Sequence, residues 1–291
     1  MQVRFFRPPA NLGRFFTTFY LAEIAVPHGG RALDYLHPEW ANLRFHKGDE
    51  LNAENYVGQR ISGVDFAATG PSSRALRFEV GTCRIWGIGL MPLGWARFIA
   101  APADTLADAV VDGNAQDAFA AFRPLADTLF GEVPDVQAEL ARISGHFLAM
   151  ADVPLPDEAR IMAIHAALVD PDVASVSELV KRVGVSQRTV ERVCARAFGF
   201  SPKLLLRRQR FMRSLSHYML DPSLKWIGAL DGHYHDQAQF VREFREFMGM
   251  TPRQYAALDH PIIEAIMNER ARMLAGAAVQ ALDAPDGERG A

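Results

Sequence analysis

Apolar and polar positions alternate in short bursts over the first hundred residues and then settle into helical spacing. The stretches 15–26, 40–45, 61–68, 75–78 and 82–88 are apolar and rich in β-branched and aromatic residues. PHGG, HKGDE and TGPSS separate them, a pattern that predicts strands joined by turns. From 102 to 150 the spacing predicts helix, with Leu106, Val110 and Val111 on one face and Phe119, Phe122, Leu125 and Leu129 on the next. Residues 151–157, ADVPLPD, read as a linker. The chain beyond reads as helical almost throughout, ending in a helix over about 262–282 and a polar, disordered tail. The reading is multidomain. An N-terminal α+β domain (1–150) has a small β-rich part, for which a cupin-like form is one option. It is followed by a linker (151–160), an all-α domain (161–260), and a C-terminal helix and tail (261–291).

The helical pattern is most specific in VSELVKRVGVSQRTVERVCARAFGFSP. Val176, Leu179, Val180 and Val183 share one helix face, Gly184 permits a left-handed turn, and Ser186 is placed to cap the next helix. Val190, Val193, Ala197 and Phe198 form that helix's inner face, and Gly199 stops it. Two short helices joined by a three-residue turn containing Gly make a helix-turn-helix. The outer face of the second helix then carries Gln187, Arg188, Glu191, Arg192 and Ala195. The design recurs fifty residues on, because Gln187, Arg192, Gly199 and Pro202 are matched by Gln237, Arg242, Gly249 and Pro252. Ser201 and Thr251 correspond as caps followed by Pro, and a duplicated pattern is stronger evidence than either copy. The stretch 201–220 predicts a long helix between the units, with Leu204, Leu205, Phe211 and Leu215 inside and Arg207, Arg208, Arg210 and Arg213 on a solvated or phosphate-facing side.

Charge sharpens this picture. The whole chain has 31 Lys and Arg against 34 Asp and Glu, a net of −3, yet the segment 175–258 holds 14 basic and 7 acidic residues. The remaining 17 basic and 27 acidic residues leave the rest at −10, so positive charge sits where a phosphate-binding surface needs it, and a separate acidic domain would lie away from it. No apolar run has the length of a bilayer span, and the N-terminus lacks a signal-peptide core, which predicts a cytoplasmic, nucleoid-associated protein with no membrane partner. Cys83 and Cys194 are far apart and read as buried free thiols.

The second copy, YHDQAQFVREFREFMGMTPRQY, closely resembles the signature of the AraC/XylS family of transcription regulators in Tyr234, Asp236, Gln237, Phe240, Arg242, Phe244, Gly249, Thr251 and Pro252. The resemblance covers about 174–258. It departs at Val180, where Ala is usual, and at His233, where a turn Gly is usual and Gly232 is expected to absorb the strain. What it implies is sequence-specific reading of two successive major-groove segments of a double-stranded DNA operator. The base-reading residues implied are Arg188, Thr189, Glu191 and Arg192 on the first recognition helix and Gln237, Gln239 and Arg242 on the second. Ser186, Arg196, Lys203, His235 and Arg245 are the implied phosphate contacts. Arg242 could instead tie helices together through a carboxylate. The resemblance also implies that the domain over 1–150 senses an effector or dimerises the protein. RNA polymerase is a further partner if the protein activates, and the chain is a monomer or a homodimer.

In the N-terminal half, Trp40, Trp86 and Trp95, with Phe45 and Phe98, could line a pocket for a small-molecule effector, or form plain core. His28, His37 and His46 beside Glu39 lack the paired His-x-His of a cupin metal site, so neither metal nor cofactor is expected. Two other classes remain. An enzyme tethered to DNA would need an activated Cys, and Cys83 has no base beside it in sequence. A protein-interaction adaptor that no longer binds DNA would show no duplex binding even at low salt.

Overall fold

The structure is a computed structural model that describes residues 1–27, 29–221 and 225–273. His28 of the histidine reading, the last part of the helix expected over 262–282 and the tail lie outside the described residues. Period-two patterning builds the first half. Strands β1 (Gln2–Phe6), β2 (Phe16–Ile24), β3 (Ala32–Leu36), β4 (Ala41–Gly48), β5 (Leu51–Glu54), β6 (Arg60–Ser62), β7 (Phe66–Thr69), β8 (Leu76–Val80), β9 (Cys83–Leu90) and β10 (Val110–Asp112) form two antiparallel sheets. One has the order β1-β2-β9-β4-β7-β10, the other β3-β8-β5-β6. In β8, Leu76, Phe78 and Val80 are buried while Arg77 and Glu79 are not, the alternation of a strand with one wet face. At Gly87 of β9 a Cβ would lie 1.9 Å from the ring of Tyr20, its partner on β2. The missing side chain lets Tyr20 lie across the strand and accept from Arg44 Nε at 3.0 Å.

The helical reading of 102–112 is corrected. Leu106 ends a 3-10 turn, Ala103–Leu106, and Val110 and Val111 belong to β10, paired with Thr69 and Ala68 of β7. Asp108, at φ 57°, breaks the helical path between them, and two adjacent valines satisfy a strand at least as well as a helix. Further on, the predicted apolar face survives. Phe119 and Phe122 lie on a 3-10 turn, Asp117–Phe122, and all four of Phe119, Phe122, Leu125 and Leu129 are buried.

Helices α1 (Pro92–Phe98), α2 (Arg123–Thr128) and α3 (Val136–Ala151) cover the larger sheet. Glu139 fastens α3: fully buried, it accepts from Arg84 at 2.7 and 2.9 Å and from the Trp86 indole at 2.8 Å. The chain then runs through α4 (Glu158–Val169), α5 (Val176–Val183), α6 (Gln187–Val193), α7 (Pro202–Leu220), α8 (Lys225–Gly228), α9 (Gln237–Met248), α10 (Pro252–Tyr255) and α11 (Ile263–Met273). No helix among the described residues is long and apolar enough to cross a membrane.

The acidic half does not stand apart from the basic one. A single buried cluster runs from Phe16, Leu43 and Phe66 through Phe147 and Ile164 to Val190, Phe198 and Leu205. At the junction Trp40 meets Phe198 and His165 edge to face, at centroid distances of 5.8 and 5.1 Å. The second helix pair has its own core of Phe211, Leu215, Phe240, Phe244, Phe247, Met248 and Tyr255. Even there, Ala75 donates its N–H to Phe247 O at 2.7 Å and the Arg74 guanidinium donates to Glu246 O, so the N-terminal half binds the last carbonyls of α9.

Candidate nucleic-acid interface

Local chemistry sets each helix pair. Ser175 and Glu178 form a reciprocal capping box at α5, and Gly184 closes that helix at φ 73°. Ser186 accepts from Thr189 N to start α6, which runs on through a π turn, Cys194–Phe198, to Gly199 at φ 81°. In the second unit Asp236 accepts from Gln239 N, and Gly249 ends α9 at φ 72°. Ser201 and Thr251 cap α7 and α10, each followed by Pro. The turn before α9 differs from expectation. Gly232 is not in a left-handed conformation; the Asp231 carboxylate instead accepts from His233 N at 2.9 Å and organises the turn.

The predicted reading residues fall into two groups. Arg188, Gln237 and Arg242 are exposed, and no hydrogen bond or ion pair engages their side chains among the described residues. The others are already engaged. Glu191 accepts from Gln187 Nε2 at 2.8 Å, half-buried Thr189 contacts Ser186 Oγ, and half-buried Gln239 accepts His235 N at 3.1 Å as part of the α9 cap. Arg192 donates to Asp157 of the linker at 3.0 Å. Among the predicted phosphate contacts, Arg196, Lys203, Arg245 and His235 are exposed, and Ser186 is exposed while capping.

The connector arginines are neither solvated nor turned to phosphate. Arg207 donates to Glu243 and Glu246, Arg210 to Glu243 at 2.6 Å, and Arg213 to Asp231, so α7 is stitched to the second unit. Tyr234 also donates to Glu243, and burial followed by that carboxylate raises the tyrosine's pKa. The carboxylate tie considered for Arg242 is thus made by Arg207 and Arg210. Arg208 is 1% exposed, with its guanidinium 3.9 Å from the Trp40 ring centroid and Nη1 donating to Glu39 O and Ser72 O. What remains outward is Lys181, Arg188, Arg196, Lys203, Arg242, Arg245 and Arg253, all exposed and free of ion pairs among the described residues. Sequence reasoning missed Asp157, Glu243 and Asp231 as partners. Their only signal was acidic residues at the edges of a basic segment.

Trp40 borders a cavity of about 120 Å³ between the larger sheet, α7 and α11. Asn42 presents a buried carbonyl oxygen there with no partner among the described residues, beside Arg44, which is paired with Glu39 at 2.6 Å. Trp86 and Trp95 line neither this cavity nor the apolar void next to it. They are core residues, their indole N–H groups taken by Glu139 and Ala101 O. Cys83 and Cys194 are buried free thiols, and burial pushes each up to about 12, far from the activated thiolate that alkyl transfer needs.

Two histidines report on the contact between the halves. His37 meets Tyr255 OH at 2.7 Å, and burial lowers its pKa to about 4. His260 is engaged by Asp34 and by Tyr255 O, and although burial opposes it, the Asp34 hydrogen bond raises its pKa. The His260 contribution is fully present below pH 6.5 and fades as pH rises through the raised value. The His37 contribution is present above 6.5 and fades as pH falls toward 4. Thermal melts should therefore shift down between pH 7.5 and 5, the His37 loss of about 2 kcal/mol being partly offset by His260. A melting temperature that rises over that range would contradict the assignment.

Residues 179–257 match a family model described as a helix-turn-helix domain. No curated protein matches the chain. Among solved structures the chain is similar to ToxT from Vibrio cholerae, at 9% identity over 81% of this chain and 96% of that one, with a TM-score of 0.44. A ToxT structure with bound unsaturated fatty acid aligns at 9% identity, covering 81% and 92%, with a TM-score of 0.40. The AraC-like transcriptional activator CuxR aligns at 14% identity, covering 73% and 85%, with a TM-score of 0.24.

Proposed function

We propose that the helix-turn-helix domain matched over residues 179–257 is of the AraC type, and that the chain is a sequence-specific DNA-binding transcription regulator that sets α6 and α9 into successive major-groove segments. The observation that carries this reading is the set of seven exposed, unpaired cations distributed over both helix pairs and the start of α7, while the other arginines of α7 are used internally. Arg188 and Arg242 suit guanine, Gln237 suits adenine, and Arg196, Lys203 and Arg245 suit phosphate. Arg192 and Gln239 join the readers only by giving up Asp157 and the α9 cap. A small-molecule effector in the cavity between sheet, α7 and α11 would touch both halves at once, with Asn42 and Trp40 on its wall. A metabolite screen by thermal shift tests that part of the reading.

Selection from random duplex DNA should enrich one sequence, with affinity falling steeply as salt rises. On that sequence Arg188→Ala should cost about 1–3 kcal/mol and relax one base pair. Arg245→Ala should weaken all sequences alike and lower the salt slope by about one. No enrichment, and no binding at low salt, would favour a protein-interaction adaptor.

A further inference from the structure

Beside the first recognition helix lies an open cleft of about 490 Å³. Its walls come from three places: Ala96 and Ile99 of the N-terminal half, Leu155 at the linker with Ile161 of α4, and Val193 and Ala197 of the α6 segment. Its charged groups are Asp157, Arg192 and Arg196. The two arginines are four residues apart, one helical turn, where like charges repel and where one anion can touch both. One carboxylate already occupies part of this position, since Asp157 bridges Arg192 at 3.0 Å and Arg160. Asp157 makes the bridge from a left-handed backbone, φ 64°, and makes no side-chain cap bond to α4, the helix it precedes. Arg196 is exposed and has no ion pair among the described residues. The cleft is thus an open trough, as polar as it is apolar, with apolar side chains on its walls and an unmatched positive charge, of a volume in the range of small-molecule sites.

We propose that this cleft binds a small organic acid with a compact apolar body, whose carboxylate bridges Arg192 and Arg196 in place of Asp157. Asp157 is the internal competitor, and the linker's position records whether the acid is bound. The inference rests on the reading above only in its consequence: an acid held there takes two arginines from DNA and weakens duplex binding.

The probe is cyclohexanecarboxylate, titrated into the full-length protein labelled with ¹⁵N at arginine and observed through the guanidinium signals. Saturable shifts of two signals are expected, assigned by their absence in Arg192→Lys and Arg196→Gln, with no response to uncharged cyclohexylmethanol. Arg196→Gln should weaken the acid about ten-fold or more. Asp157→Asn, which keeps a residue type tolerant of the left-handed backbone, should tighten it about three-fold. Retained affinity in Arg196→Gln, or weaker binding in Asp157→Asn at unchanged melting temperature, overturns the proposal. So does inorganic phosphate that shifts the same signals as strongly at equal concentration, since the site would then be a bare backbone-phosphate contact. These measurements need no DNA, so failure of the cleft and failure of duplex selection are separate results.

Discussion

Asp34→Ala is expected to destabilise the protein by about 3–5 kcal/mol and to free the C-terminal helix before the rest unfolds. Asp34 is fully buried on β3, and four donors converge on its carboxylate. Oδ2 accepts the N–H groups of Ile262 and Ile263, both at 2.9 Å, and Oδ1 accepts Tyr35 N at 2.8 Å and His260 Nδ1 at 3.1 Å. The other nitrogen of His260 meets Tyr255 O, an acceptor, so the protonated ring, which donates from both nitrogens, is the form that satisfies the site. Truncation strips His260 Nδ1 and the leading amides of α11 of their acceptor, each loss costly in a site that water does not reach. Urea denaturation measures the total. Hydrogen exchange at residues 262–266 should accelerate more than exchange in β4 or β9. Asp34→Asn keeps an acceptor but loses the charge, and should fall between the two. A wild-type urea midpoint in Asp34→Ala would refute the assignment.

How much of this was legible in the sequence depends on the range of the forces. Caps and stops are local, and Ser186, Gly184, Gly199, Ser201 and Thr251 do what their residue types and spacing predict. The inward faces of the paired helices were readable from period 3.6, and the exposure of Arg188, Gln237 and Arg242 follows from it. Strands β3 and β5 escaped because ALDYL and LNAE are short and broken by polar residues, and β10 escaped because its identity is set by hydrogen bonds to β7, about forty residues away. Side-chain partnerships across the fold were invisible for the same reason. Arg192, Arg207, Arg210 and Arg213 look alike in sequence to Arg188 and Arg245, and only the chain path brings Asp157, Glu243 and Asp231 to the first four. A charge count therefore overstates the surface offered to DNA. The outward cations are those whose neighbours on the folded chain are not acids.

Arg208→Ala should be the other large loss, about 3–5 kcal/mol, and should also disconnect α6 and α9 from the N-terminal half. The side chain sits near the start of α7, between the two helix pairs, and reaches into the N-terminal half. There its cation lies on Trp40, and Nη1 donates to the carbonyls of both Glu39 and Ser72, residues flanking the two sheets. Trp40 in turn packs on Phe198 at the end of the α6 segment, where a Cβ at Gly199 would lie 3.2 Å from Pro71 and 3.3 Å from Ala103 O, tighter than ordinary contact. One residue thereby joins both helix pairs to the wall of the cavity that α7 covers. Removing it takes a donor from two half-buried residues' carbonyls, of which Glu39 O keeps Ser72 N at 2.9 Å, and enlarges that cavity, which adds a void cost to a polar one. Lysine would keep the charge but not the planar guanidinium that lies on Trp40, so Arg208→Lys should recover less than half of the loss. The coupling has its own readout. Duplex binding should slow hydrogen exchange at residues 39–44 in the wild type, and that protection should vanish in Arg208→Ala while α6 and α9 remain protected by DNA. Protection of 39–44 that persists in the variant would mean that the halves communicate by another route.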